Sequence, residues 1–179
     1  MAEESYGPLD DQRYREYANN IHESGKHLLA ILNDILDVSR LETGVWQLVE
    51  RDVDLNMVVD SVARMVRDRT TQAGLTLDIS CDADLAEVLA DERMVRQMLL
   101  NLLSNAAKFT PEGGTISVQS LRTEAGESIL RVRDTGVGIA EENFEKILMP
   151  FGQVENALSR STGGTGLGLS LVKSMIELH

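Results

Sequence analysis

"DERMVRQMLLNLLSNAAKFT", residues 91–110, carries both the scaffold and the chemistry of this 179-residue chain. Asp91 is a good helix N-cap, because a short carboxylate accepts from the first unpaired amides of a helix. Val95, Met98, Leu99, Leu102, Leu103 and Ala106 then recur at helical spacing and make a broad apolar face. Asn101, Asn105 and Lys108 stand at i, i+4 and i+7, so they share a different face. Polar stripes are common on surface helices. Two asparagines one turn apart beside a lysine are unusual, because asparagine is a mediocre helix former. Amide oxygens are hard ligands that suit Mg²⁺, which takes few protein ligands and keeps phosphate oxygens and water. Lysine adds a point charge for phosphate.

A second stretch fits that chemistry. "STGGTGLGLS", residues 161–170, feeds directly into the apolar-periodic segment "LGLSLVKSMIEL". A flexible linker would be polar on both sides. Glycines before a helix instead let backbone amides approach an anion at the helix N-terminus. Two common phosphate loops are excluded. A Walker loop needs Lys after its last glycine, but Leu169 follows Gly168. The dinucleotide pattern fails at the same Leu169 when counted from Gly164 and Gly166. The third element is "RDTGVGIA", residues 133–140, at the end of a predicted strand. Asp134 there reads as a turn former or as an acceptor for the exocyclic amine of a base, with Gly136 and Gly138 leaving room for a ring.

Composition narrows the classes. The chain is 42% hydrophobic and 26% charged, enough for one real core with an appendage. A net charge of −12 argues against nucleic acid or an anionic membrane as the main partner. The lone Cys81 excludes an internal disulfide and reads as a buried thiol at a strand end. No apolar run is long enough to span a membrane, and "MAEESYGPLDD" has no signal-peptide core, so a cytoplasmic location is expected.

Along the chain, "YGPLDD" predicts a turn, then a helix from about Asp10 to Glu42. Its seam of Tyr14, Tyr17, Ile21, Leu28, Ile31, Ile35 and Val38 suits a bundle or coiled coil. "VWQLVERDVDL" predicts a strand, and "LNMVVDSVARMVRDRTTQAG" a helix closed by Gly74. "LTLDIS" and "AEVLA" are predicted strands, "GTISVQSLRT" and "ESILRVRDTG" an antiparallel pair, and "AEENFEKIL" a short helix. Neighbouring antiparallel strands mixed with helices argue for an α+β sandwich over a parallel doubly wound sheet.

"NLLSNAAKFT", "DTGVG", "MPFGQV" and "GGTGLGL" resemble, in sequence and order, the N, G1, F and G2 boxes of the sensor histidine kinases of two-component systems. "SGKHLLAILNDILDVSRLETG" resembles the second helix of that family's dimerisation domain. The resemblance implies a Bergerat-type ATP-binding sandwich, a mixed sheet packed on helices, preceded by a long dimerisation helix. It implies ATP and Mg²⁺ as ligands, a response-regulator receiver domain as partner and a homodimer through the 10–42 helix. By resemblance, Asn105 is the Mg²⁺ ligand, Asn101 supports it, and Lys108 touches phosphate. Phe109 and Phe151 lie by the nucleotide, Asp134 reads the adenine amino group, and Gly136 and Gly138 shape its pocket. Gly164, Thr165, Gly166, Leu167 and Gly168 form the lid hinge and phosphate contacts. Residues 155–162 are the lid, from which Arg160 reaches a phosphate. Leu148 stands where the family often has Phe.

The family's phosphoacceptor motif, roughly H-E-x-R-x-P-L, is not in this chain. His22-Glu23 lacks the Arg and Pro that follow it in the family, and reads as a solvated pair on the second helix. The chain is expected to be a piece of a longer protein. Residues 1–44 would be the remnant of the dimerisation domain, and 45–179 the catalytic domain without its last strands. Two other functions compete. ATP hydrolases of the same fold use E-x-x-x-N to activate water, but Asn101 stands at the Glu position, and an amide is no general base near neutral pH. A degenerate kinase serving as a scaffold is the other.

Overall fold

A computed structural model describes residues 12–42, 46–83, 85, 87–154 and 164–179. The predicted "YGPLDD" turn lies outside them. The long helix α1 spans Gln12–Glu42, followed by β1 (Arg51–Val53), α2 (Leu55–Gln72), β2 (Thr76–Cys81), β3 (Val88–Ala90), α3 (Glu92–Phe109), β4 (Thr115–Arg122) and β5 (Ser128–Asp134). A 3₁₀ turn over Glu141–Asn143 runs into the short α4 (Phe144–Ile147), and α5 spans Gly168–Leu178. The one helix predicted over "AEENFEKIL" is thus a 3₁₀ turn joined to a single α-turn. The predicted strand "VWQLVERDVDL" is ordered as a strand only at 51–53. Its partner β3 has three residues, so the ladder stops at Arg51↔Ala90, Asp52↔Leu89 and Val53↔Val88.

The main sheet has the order β2-β4-β5, with β4 parallel to β2 and antiparallel to β5. It is therefore a mixed sheet, and the α+β expectation holds. In β4 burial alternates: Ile116, Val118 and Ser120 are buried while their neighbours are partly exposed. That two-residue period is what a sheet covered on one face requires. The cover is helical. Val58, Val59 and Val62 of α2, Met94, Leu99 and Leu103 of α3, and Leu171 and Met175 of α5 join Ile116 and Val118 in one buried cluster. The apolar face read from residues 91–110 is the buried one, except that Leu102 is half-buried and Met94 joins it.

Two caps fix the helices. Gly74 closes α2 at φ +67°, donates to Thr71 O at 3.0 Å, and accepts from Gly113 N at 2.9 Å, tying the end of α2 to the α3–β4 turn. At the start of α3, Asp91 is fully buried. Its Oδ1 accepts from Arg93 N at 3.0 Å and Met94 N at 3.4 Å, and its Oδ2 from Val49 N at 3.1 Å and Arg93 Nη2 at 2.8 Å. Cys81 does end a strand but is only half-buried.

Helix α1 differs from the others. Val38 packs against the core, but Ile21 is 73% exposed and Leu28 65%. Tyr14, Tyr17, Leu29 and Leu32 are exposed as well. A helix with this much wet apolar surface is built to be covered.

The Arg93 guanidinium and the amides of Val49 and Arg93 outweigh burial and hold the Asp91 carboxyl at about 2, below its ordinary 3.8. A carboxyl with a depressed folded pKa stabilises the fold above its unfolded value, and the contribution is lost as pH falls through the folded one. Stability should therefore drop by about 2 kcal/mol between roughly pH 5 and pH 2 on account of this group. Denaturant titrations at stepped pH should show Asp91→Asn flattening that acid limb. An unchanged limb in the variant would refute the assignment.

Candidate functional site

Sheet register sets the first half of the site. Val118 faces Val132 and Ile116 faces Asp134 across the β4–β5 ladder. Directly opposite residues share a sheet face, so Asp134 lies on the helix-covered face where the core ends and solvent begins. Its Oδ1 accepts from Gly136 N at 2.8 Å, closing the turn predicted for "DTG". Side chains are excluded at Gly136: a Cβ there would meet Phe109 O at 2.5 Å and Asp134 Oδ1 at 2.6 Å. Val137 N donates to Phe109 O at 3.3 Å, so the turn is docked on the last residue of α3. Gly138, at φ +68°, has open space where a Cβ would be.

Helix α3 supplies the second half. Asn101, Asn105 and Lys108 are half-buried on its face away from the core. The Lys108 ammonium sits 4.8 Å from the Phe109 ring centroid, a cation–π contact that links the lysine to the Asp134–Gly136 turn. Burial first, and the nearby Arg69 guanidinium second, push Lys108 below the ordinary lysine range.

The glycine loop closes over this face. Asn101 Nδ2 donates to Gly168 O at 3.4 Å. A Cβ on Gly168 would lie 3.7 Å from Asn105 Nδ2, and one on Gly164 would lie 2.6 Å from Lys108 Nζ. Gly164 therefore holds backbone against the ammonium, where a side chain would displace it. Gly166 adopts φ +71°, and a Cβ there would strike the Phe151 backbone at 2.7 Å. Phe151 itself has φ +61°, a costly conformation for a residue with a side chain. Its ring is 64% exposed, so what meets the loop is its backbone. Thr165 Oγ1 accepts from Leu167 N at 3.2 Å. Leu167 is fully buried in the core, which leaves only its backbone for any ligand. Gln153 Nε2 donates to Gly164 O at 2.9 Å and fastens the loop to the "MPFGQV" segment. Gln153 had no role in the sequence reading; its only signal was its place inside that motif. Arg160 and the predicted lid lie outside the described residues. Leu148 is exposed.

Asn105 makes no hydrogen bond among the described residues, so its amide oxygen is an available hard donor. Among the same residues no group of three His, Cys, Asp or Glu could hold a metal. A donor set of one amide oxygen beside a glycine loop fits Mg²⁺, which takes few protein ligands, and not a zinc cage. No described helix is long and apolar enough to cross a membrane.

Comparisons with known proteins agree with this fold. Residues 90–179 match the family model of the histidine kinase-, DNA gyrase B- and HSP90-like ATPases. Residues 1–44 match that of the His Kinase A (phospho-acceptor) domain. The non-motile and phage-resistance protein of Caulobacter vibrioides is 49% identical over 182 residues, covering 100% of this chain and 22% of that protein. The cell-division control histidine kinase PdhS of Brucella abortus is 38% identical over 188 residues, covering 100% of this chain and 18% of its own length. The chain spans about a fifth of the length of these curated relatives. Among solved structures, full-length ShkA in complex with AMPPNP superposes with a TM-score of 0.79 at 32% identity, covering 94% of this chain and 34% of that one. The histidine kinase ThkA in complex with the response regulator TrrA gives 0.71 at 27% identity, covering 94% and 46%. The fold is theirs, and the chain belongs to the histidine kinase-, DNA gyrase B- and HSP90-like ATPase family, among its sensor histidine kinases.

Proposed function

We propose that this segment is the ATP-binding, phosphoryl-donating unit of a protein-histidine kinase, which transfers the γ-phosphoryl group of ATP to a histidine for relay to an aspartate of a response regulator. The observation that carries this reading is the meeting of Gly164 and Gly168 with the Asn101–Asn105–Lys108 face. Asn105 would hold Mg²⁺ through its amide oxygen, with Asn101 fixing the loop beside it. Lys108 and the loop amides would take phosphate oxygens, assisted by Arg160. Asp134 would accept from the adenine amino group, between Gly136 and Gly138, with Phe109 and Phe151 at the nucleotide's edge. Mg²⁺ supplies charge neutralisation on the phosphates.

Transfer is favoured over hydrolysis by Asn101. Its amide donates to Gly168 O, a structural duty, and it has no basicity with which to activate water. In the transfer the bond from phosphorus to the ADP oxygen breaks and one to imidazole nitrogen forms. The imidazole proton goes to the acid beside the histidine. Such catalysis is chiefly positioning and charge stabilisation. The three histidines of this chain, His22, His27 and His179, all lack the motif that presents an acceptor. The acceptor belongs on the first helix of the dimerisation domain, packed against the wet stripe of α1 in a homodimer. The ThkA–TrrA complex supports a receiver domain as the downstream partner. A unit that draws on ATP would work in the cytoplasm.

Calorimetry should show Asp134→Asn weakening ATP by roughly tenfold or more, because a carboxylate acceptor is replaced by an amide that also presents donors. Thermal stability should be retained, since Asp134 is exposed. Equal affinity in the two proteins would overturn the adenine role.

Incubated with γ-labelled ATP, the chain should release phosphate slowly and should not label itself. It should label, in trans, a separate dimerisation domain bearing the acceptor histidine. An acid-labile, base-stable label on the chain that disappears in His22→Ala would contradict this.

A further inference from the structure

Helices α2 and α3 run side by side in the same direction. Near their starts Arg96 Nη1 of α3 donates to Ser61 Oγ of α2 at 2.6 Å. Each ends on a cation in its last turn, Arg69 on α2 and Lys108 on α3. A basic residue at a helix C-terminus complements the dipole, which accounts for either one alone. It does not account for the pair. The Arg69 guanidinium adds to the burial that lowers the Lys108 pKa. Neither forms an ion pair among the described residues. In a chain with 29 acidic and 17 basic residues, two cations in the last turns of neighbouring helices, without a described counter-ion, stand out.

The space beside them is not solvent alone. A groove of about 330 Å³ runs between α2 and α3, with Arg69, Asn101 and Ser104 in its wall and Met65 and Leu100 lining it. Ser104 lies one turn from both Asn101 and Lys108 on the helix surface. The groove therefore opens along the edge of the face closed by Gly164 and Gly168, and Asn101 belongs to both. Arg69 reaches this edge from a helix outside the residues that match the ATPase family model, 90–179. A fork of guanidinium donors at that edge suits a multiply charged oxyanion better than a second ammonium would.

We infer that Arg69 is a second phosphate-binding residue of this site, acting from α2 together with Lys108 on the terminal phosphate of the bound nucleotide. The inference rests on the nucleotide reading given above. It makes the affinity depend on the number of phosphates, because Arg69 meets only the end of the chain that ATP has and adenosine lacks.

Calorimetry with ATP, ADP and adenosine on the full chain tests it, using wild type, Arg69→Gln and Arg69→Lys. Arg69→Gln should weaken ATP roughly tenfold, the size of one charge-assisted hydrogen bond. ADP should lose less, adenosine nothing, and the salt dependence of ATP binding should become shallower. Arg69→Lys should recover part of the loss. In the nucleotide-free protein, the Lys108 ammonium followed by NMR should titrate at higher pH in Arg69→Gln, since a like charge is gone. ATP affinity within twofold of wild type in Arg69→Gln, or an equal loss for adenosine, would overturn the inference while leaving the nucleotide site standing. Wild-type protein that binds none of the three would overturn both.

Discussion

The burial of Met94, Leu99 and Leu103 in one cluster with Ile116 and Val118 fixes the rotation of α3 about its axis. Everything at the site follows from that angle. A helix turns 100° per residue, so once the apolar face is seated on the sheet, Asn101, Asn105 and Lys108 are held on another face with no freedom to choose. Asp91 fixes the helix along its axis as the buried core fixes it around. The carboxylate joins the start of α3 to the β1 side of the domain through Val49. The same burial seats the β4 strand whose partner β5 ends in Asp134. Asp134 and the Asn101–Asn105–Lys108 face are thus two outputs of one packing arrangement.

The glycine loop answers a steric demand. Backbone comes down on the face that carries Lys108, and at Gly164 and Gly166 a side chain would collide with Lys108 or with the Phe151 backbone. Phe151 shares in the cost by adopting a left-handed backbone itself. That tension is what is expected where local backbone preference is overruled by a site.

Much of this was legible in the residues. The period of residues 92–109 gave the right helix and the right buried face, Asp91 its cap, and Gly74 the end of α2. The alternation in 115–122 and 128–134 gave the antiparallel pair. What was not legible depended on partners distant in sequence. The strand predicted over residues 45–55 shrank to three residues because β3 offers no more to pair with. That Leu167, within the glycine loop, sends its side chain into the core follows from the packing of the whole cluster. Arg69 carried no motif; it lies more than thirty positions before Asn101 in the chain and lines a groove with it only through the packing of α2 on α3. Phe151 matched its motif, but the motif does not say that its backbone, more than its ring, is what meets the loop.

The central claim is that α3 presents Asn105 to a metal carried by the nucleotide. Paramagnetic relaxation reads that directly. In protein labelled on asparagine side chains, Mn²⁺ added with ATP should broaden the Asn105 side-chain amide beyond detection and attenuate Asn101 next. Asn56, bonded on the far side of the domain to Asp82 O and Ser120 Oγ, should stay sharp. An Asn105 resonance that survives saturating Mn²⁺-ATP unchanged, while nucleotide binding is demonstrated in the same sample, would contradict the account.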